Sequence, residues 1–236
     1  MAELVSEVPE RVVAVYAHPD DADVASGGTL ARWAKAGSEV HLVVCTDGGR
    51  GTTDPGVAPS ELAGTRAEEL AQAAGILGLA AVTSLGWTDG EVEDSADLRG
   101  ALVEVVRRVR PEAVLGHDPT AVFFGQHYFN HRDHRAVGWA TLDAVAPAAA
   151  LPAYFPDAGP PHQVGVVYLS GTLEPDVWVD VGDTVEMKVA AVERHRSQLG
   201  GDEHWAAEVV RQRAREEGRR AGVTYAEGFR RLRLGG

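Results

Sequence analysis

Short runs of β-branched and apolar residues recur along this chain about every 30 residues, each followed by a stretch with helical spacing. Residues 11–17 (RVVAVYA), 40–45 (VHLVVC), 81–85 and 113–116 are the first four such runs. Helices are predicted over 27–36, 65–77 and 96–109, with Gly37 ending the first of them. A helix starting at His131 or Asp133 runs to about Val145, strands follow at 163–170 and 177–181, and helices close the chain at 184–198 and 204–220. Continuous apolar strands of this kind are buried on both faces, which predicts a mostly parallel, Rossmann-like open α/β sheet flanked by helices. No repeat or compositional break divides the 236 residues, so residues 1–236 are read as one domain.

Composition narrows the function classes. With 44% hydrophobic and 24% charged residues, the chain has the make-up of an ordinary globular protein, and no apolar run is long enough to span a membrane. The formal net charge of −13 argues against nucleic acid as a partner. Arginines at 211–220 and 230–233 alternate with Glu216, Glu217 and Glu227, which reads as a solvated helix face. The first eleven residues lack the basic and apolar regions of a secretory signal, pointing to a cytoplasmic protein. A single cysteine, Cys45, excludes an internal disulfide and a cysteine-rich metal site, so any metal must be held by His, Asp or Glu. A homo-oligomer is compatible with all of this.

Chemistry in open α/β sheets gathers beyond the carboxyl ends of the strands. Three strand ends here are dense in polar groups: His18-Pro19-Asp20-Asp21, Thr46-Asp47-Gly48-Gly49 and His117-Asp118. Adjacent carboxylates repel unless a cation or a shared proton compensates. A second concentration, His131-Arg132-Asp133-His134, lies at a helix start. Each of these residues has an ordinary reading when taken alone. His18 suits a hydrogen-bonded strand end, Asp20 and Asp21 suit helix caps, and His131 and His134 suit a surface helix. Together they supply two histidines and one or two aspartates, the donor set of a zinc site with a position left open for water.

These motifs resemble those of the LmbE-like (PIG-L) N-deacetylases. Ala17-His18-Pro19-Asp20-Asp21-Ala22-Asp23 followed by Gly27-Gly28-Thr29-Leu30-Ala31 is similar to the opening motif of that family, and His131-Arg132-Asp133-His134 to its second. Arg66, Glu69, Leu77-Gly78 and Asp89-Gly90 also fall where the family has similar residues. The resemblance covers residues 11–146. It implies a Zn2+ (or another divalent metal) bound by His18, Asp21 and His134. It makes Asp20 the general base and places His131, oriented by Asp133 and charged, at the reacting carbonyl. Arg66 and Asp89 are expected to contact the substrate, a small N-acylated amino sugar. Arg66 could equally pair with Glu69. The chain departs from the common pattern in having Ala22 then Asp23, where many members have Glu directly after the paired Asp. It also has Phe129 where some members place a tyrosine, which leaves oxyanion support to His131 or Tyr128.

Rival readings are a hydratase or a thiol-conjugate amidase on the same site, a nucleotide-binding protein built on Gly27-Gly28, and a structural metal module. His117 and His127 are candidates for the pocket wall, and His41 for a hydrogen bond on its strand, whereas His162, His195 and His204 read as surface residues. Trp87 is read mainly as packing. The irregular segments 46–59, 120–130 and 146–161 are expected to set substrate choice.

Overall fold

The computed structural model describes residues 2–126, 128–201 and 203–235, with the backbone alone at 203–205. Two strands open the chain, β1 (Glu3–Leu4) and β2 (Arg11–Tyr16), and α1 (Asp21–Lys35) follows. Next come β3 (Glu39–Thr46), α2 (Pro59–Leu77), β4 (Ala81–Trp87), α3 (Ala96–Val109) and β5 (Ala113–His117). A small hairpin, β6 (Phe123–Phe124) and β7 (Tyr128–Phe129), leads into α4 (Arg132–Asp143). The chain closes with β8 (Val166–Ser170), β9 (Val177–Asp180), α5 (Val185–Val192), α6 (Glu203–Ala221) and β10 (Ala226–Arg233).

Eight strands form one sheet in the order β1-β9-β10-β8-β5-β2-β3-β4. The five from β8 to β4 are parallel, while β10 runs antiparallel to both β8 and β9. The expected mostly parallel α/β sheet is what forms. Successive β2 residues point to opposite faces, and both faces are covered. Val13 and Val15 pack on the α3–α4 side, and Val12, Ala14 and Tyr16 on the α1 side. From β2 the chain steps outward to β3 and β4, then returns to place β5 on the other side of β2. The carboxyl ends of β2 and β5 therefore flank a topological switch point, where such sheets open a crevice.

Several elements differ from the sequence expectation. Helix α1 begins at Asp21 and runs through Gly27-Gly28, with Asp21 and Asp23 in its first turn complementing the helix dipole. The two glycines read locally as a helix start, but Gly28 is required by the residues packed against it. A Cβ at Gly28 would stand 2.9 Å from Val181 and 3.1 Å from Glu227. Gly28 and Thr29 N–H groups donate to the Glu227 carboxylate at 3.0 and 2.7 Å. This buried packing also removes the phosphate-cradling reading of the pair. Helix α2 starts earlier than expected, with Pro59 in its first turn, and ends at Gly78 in the left-handed conformation (φ 73°). The expected helix over 184–198 stops at Val192 and resumes as one 3-10 turn, Arg196–Gln198.

Two corrections concern charge and loops. Arg230, Arg231 and Arg233 lie on a strand, not a helix, and Glu227 is buried in an ion pair with Lys188 at 2.6 Å. The segment 146–161 winds round the buried Arg107 guanidinium, which donates to six of its carbonyls, those of Ala148, Ala149, Leu151, Tyr154, Phe155 and Gly159. Near its end, His162 donates to the carbonyl of Pro111, just ahead of β5. The segment thus sits at the amino end of the sheet, away from the crevice, and has no place in substrate choice.

Candidate metal centre and active site

The site is built from the ends of β2 and β5 and the starts of α1 and α4. β2 stops at Tyr16, and the turn 17–20 leads directly into α1, so His18 and Asp21 face each other across one turn. His18 N–H donates to Asp21 Oδ2 at 2.7 Å, closing that turn. On the other side, His131 caps α4, its Nδ1 accepting from Asp133 N–H at 3.2 Å. A close approach between α4 and the end of β5 brings His134 inward. Gly138, one turn further along α4, makes it feasible, because a Cβ there would stand 2.9 Å from the His117 carbonyl.

Three donor atoms meet at the centre. His18 Nδ1 lies 3.2 Å from Asp21 Oδ2 and 3.2 Å from His134 Nε2, and His134 Nε2 lies 3.1 Å from Asp21 Oδ1. The far nitrogens are already committed. His18 Nε2 donates to Asp89 Oδ1 at 3.1 Å, and His134 Nδ1 donates to Asn130 Oδ1 at 2.9 Å. Each neutral ring must therefore turn a lone pair toward the other and toward a carboxylate. Such a triangle repels itself unless a cation occupies it.

A proton on His18 is one such cation. Burial opposes it, yet the Asp21 carboxylate and hydrogen bonds to Asp133, Asp21 and Asp89 push His18 up to about 12. Burial likewise opposes the Asp21 charge, but His134 and His18 hold that carboxyl well below its usual range. A metal ion is the other solution. Donors about 2.0–2.1 Å from a tetrahedral ion stand about 3.3 Å apart, close to the spacing here. The carboxylate and amide that orient the two rings are the outer partners that metal-binding histidines usually have. The group can hold a metal.

The remaining expected residues surround this triangle. Asp20, partly exposed, accepts from Arg66 Nη2 at 2.6 Å. Arg66 is 3% exposed and its Nη1 donates to the Gly48 carbonyl at 3.0 Å, so it meets Asp20 rather than Glu69. Glu69 instead accepts from Ser197. Asp89 is buried with both oxygens engaged, one by His18 and the other by Arg50 N–H at 3.1 Å. Arg66 and Asp89, expected to contact the substrate, are bonded here to Asp20 and His18. The expected Asp133-to-His131 orientation also takes another form. Asp133 Oδ2 accepts from Gly90 N–H at 2.7 Å and faces His18 Nε2 at 3.5 Å, so only its main chain reaches the His131 ring. Burial and the nearby His18 lower His131, which runs against the expected imidazolium.

Other histidines are redistributed. His117 is at the site, its Nε2 accepting from Ala17 N–H at 3.1 Å and standing 3.3 Å from Asp21 Oδ2, and burial pushes it down to about 4. His195, expected on the surface, is 1% exposed and bonded to Asp23. His162 is half-buried, and His41 meets Glu39 as expected. His127 and the His204 side chain lie outside the described residues. Asn130 was not anticipated, although its place four residues before His134 is the spacing that one helical turn would flag. A cavity of about 530 Å³ opens beside the triangle, lined by Asp21, His117, His134, Tyr128, Lys188 and Glu227 among others.

Comparison with known proteins agrees with this geometry. The model of the family described as PIG-L, GlcNAc-PI de-N-acetylase, matches residues 13–145. The chain belongs to the PIG-L family. It is 36% identical to the diacetylchitobiose deacetylase of Thermococcus kodakarensis, over 94% of this chain and 82% of that one. Among solved structures, the N,N'-diacetylchitobiose deacetylase of Pyrococcus horikoshii superposes with a TM-score of 0.87 at 32% identity, covering 95% of this chain and 84% of that one. The 4-carboxy-2-hydroxymuconate hydratase GalB of Pseudomonas putida KT2440 superposes with a TM-score of 0.78 at 25% identity, covering 94% and 96%. No helix among the described residues is long and apolar enough to cross a membrane.

Proposed function

We propose that this protein is a zinc-dependent hydrolase that removes an N-acetyl, or related N-acyl, group from a small amino-sugar conjugate such as an N-acetylglucosaminyl compound. The observation that carries the reading is the triangle of His18 Nδ1, Asp21 carboxylate and His134 Nε2, with Asp20 directly beside it on the chain. The relationship to sugar deacetylases supports the substrate class.

His18, Asp21 and His134 would hold the ion. A divalent ion there supplies Lewis acidity, bringing water from a pKa of about 15.7 toward about 7. Asp20 is the general base. Arg66, bonded to Oδ1, fixes the rotation of the carboxylate and leaves the other oxygen to take a proton from water as it adds to the amide carbon. His131 accepts at Nδ1 from the main chain, so its neutral ring carries the proton at Nε2, and that N–H donates to the carbonyl oxygen as negative charge develops. The C–N bond then breaks, and the proton held by Asp20 is available to the departing amine. Acetate and a free amino sugar result. Asp89 and Asn130 keep the two ligand rings in the orientation this requires.

Incubation with an N-acetylated glucosaminyl disaccharide should release acetate and free amine in equal amounts. A chelator should stop this and zinc should restore it. Turnover of an unsaturated hydroxy acid with no acetate released from any N-acetyl sugar would instead identify a hydratase, the activity named for the Pseudomonas putida structure.

A further inference from the structure

We propose that the turn 195–198, remote in sequence from both motifs, is a positioning clamp that holds the general base Asp20 against Arg66. This rests on the deacetylase reading above, since it assigns the turn a role in that reaction. The clamp grips two helices at equivalent places. His195 Nε2 and Asp23 Oδ2 are 2.6 Å apart, both side chains are 1% exposed, and the residues are 172 positions apart in the chain. Asp23 lies on α1, three residues after Asp20. Two residues beyond His195, the N–H and Oγ of Ser197 donate to the two oxygens of Glu69 at 2.8 and 2.7 Å. Glu69 lies on α2, three residues after Arg66. Residues three apart share a helix face, so one short turn holds each helix directly behind its working side chain.

The same turn backs the loop that Arg66 also holds. A Cβ at Gly51 would stand 2.7 Å from Arg66 Nη1 and 3.0 Å from Gln198 Oε1, so the loop is pressed between the two. Neither His195 nor Asp23 reaches the three metal-site donors, and neither lines the cavity beside them. Packing alone does not account for the pair. Asp23 Oδ1 and His195 Nδ1 are buried with no partner among the described residues, a combination that apolar side chains of similar volume would avoid. What the polar pair supplies is a fixed distance and direction between the turn 195–198 and α1. Misplacing a reacting group by about 1 Å can lower turnover by about 100-fold, so such a restraint has a large lever on rate.

The test compares His195→Leu, His195→Gln and Ser197→Ala in the full-length, zinc-loaded protein. Zinc content, thermal midpoint, kcat, KM and amide hydrogen exchange of the α1 start are measured for each. Gln places an N–H donor near that of Nε2, whereas Leu keeps volume without a donor. The clamp requires His195→Leu and Ser197→Ala to lose at least about 10-fold in kcat, with zinc retained and KM within about twofold. Exchange at the α1 start should quicken in His195→Leu, and His195→Gln should recover most of both kcat and protection. Unchanged kcat in the folded, zinc-loaded variants would overturn the proposal, as would loss of zinc in step with loss of rate. If His195→Leu does not fold, Ser197→Ala, which removes one hydroxyl, decides the matter. An unaltered protein that releases no acetate would refute the deacetylase reading instead, and the exchange data would still report whether the turn restrains α1.

Discussion

Arg107→Leu should destabilise the protein while leaving its chemistry intact. The guanidinium is 2% exposed and has no carboxylate partner among the described residues. Its charge is met by six main-chain carbonyls at 2.8–3.2 Å. Hydrogen bonds from a charged donor contribute about 1.5–3 kcal/mol each, and six such contributions would rival the whole stability of a domain, about 5–15 kcal/mol. That figure overshoots, because the substitution also relieves the desolvation of a buried cation, several kcal/mol in itself. Water can moreover reach the carbonyls of the exposed residues Leu151, Tyr154 and Gly159. The Ala149 carbonyl keeps the N–H of His162 at 2.9 Å, whereas that of Ala148, in a buried residue, is left orphaned at about 1–3 kcal/mol. The expected loss is about 2 kcal/mol, or about 4–8 °C in thermal midpoint for a chain of this length. Urea titration gives the free energy, and kcat/KM for deacetylation at 25 °C, where the variant is still folded, gives the chemistry. A loss below about 1 kcal/mol would refute the assignment of Arg107 as the organiser of 146–161. A large fall in kcat/KM of the folded variant would refute the placement of that segment away from the site.

Three further outcomes follow from the site. Asp20→Asn keeps an oxygen acceptor for Arg66 but cannot take a proton. It should retain zinc and fold normally while kcat falls by about 100- to 10,000-fold, measured beside metal analysis. Zinc must displace the proton that the carboxylates hold on His18, which they push up to about 12. Calorimetry in two buffers of different ionisation enthalpy should therefore find about one proton released near pH 7, with affinity rising about tenfold per pH unit, and zero release would contradict a protonated His18 in the metal-free protein. His117 has the opposite sign, since burial lowers it from 6.5 to about 4. An unfolded chain binds that proton first, so stability is lost as pH falls from about 6.5 through 4, and a His117→Gln variant should show a shallower decline in acid melting curves.

Much of the fold, and the two polar clusters that the structure brings together, were legible in the sequence because each rests on local pattern, whereas the choice of His18, Asp21 and His134 within them rests on the family resemblance. Continuous apolar runs specify buried parallel strands, and paired histidines and aspartates three residues apart specify donors on one side of a turn. What escaped was set by partners far along the chain. Ser26-Gly27-Gly28 reads as a helix start, and only the contact with Val181 and Glu227, 199 residues from Gly28, shows why glycine stands inside α1. His195 reads as a surface residue because Asp23 lies 172 positions away. Strand β10 carries too many charges for the apolar pattern of a strand, although it lies inside the sheet between β9 and β8, with Arg230 and Arg231 half-buried and Arg233 exposed. Arg66 and Asp89 were found as residues, but neither their burial nor their bonds to Asp20 and His18 were legible in the sequence.

The central claim is that two clusters more than a hundred residues apart grip one divalent ion. Anomalous diffraction at the zinc edge, from crystals grown with one equivalent of zinc, tests it most directly. A single peak about 2.0–2.2 Å from His18 Nδ1, His134 Nε2 and an Asp21 oxygen is the expected result. No peak, or a peak on the Nε2 side of His18 between Asp89 and Asp133, would contradict the account.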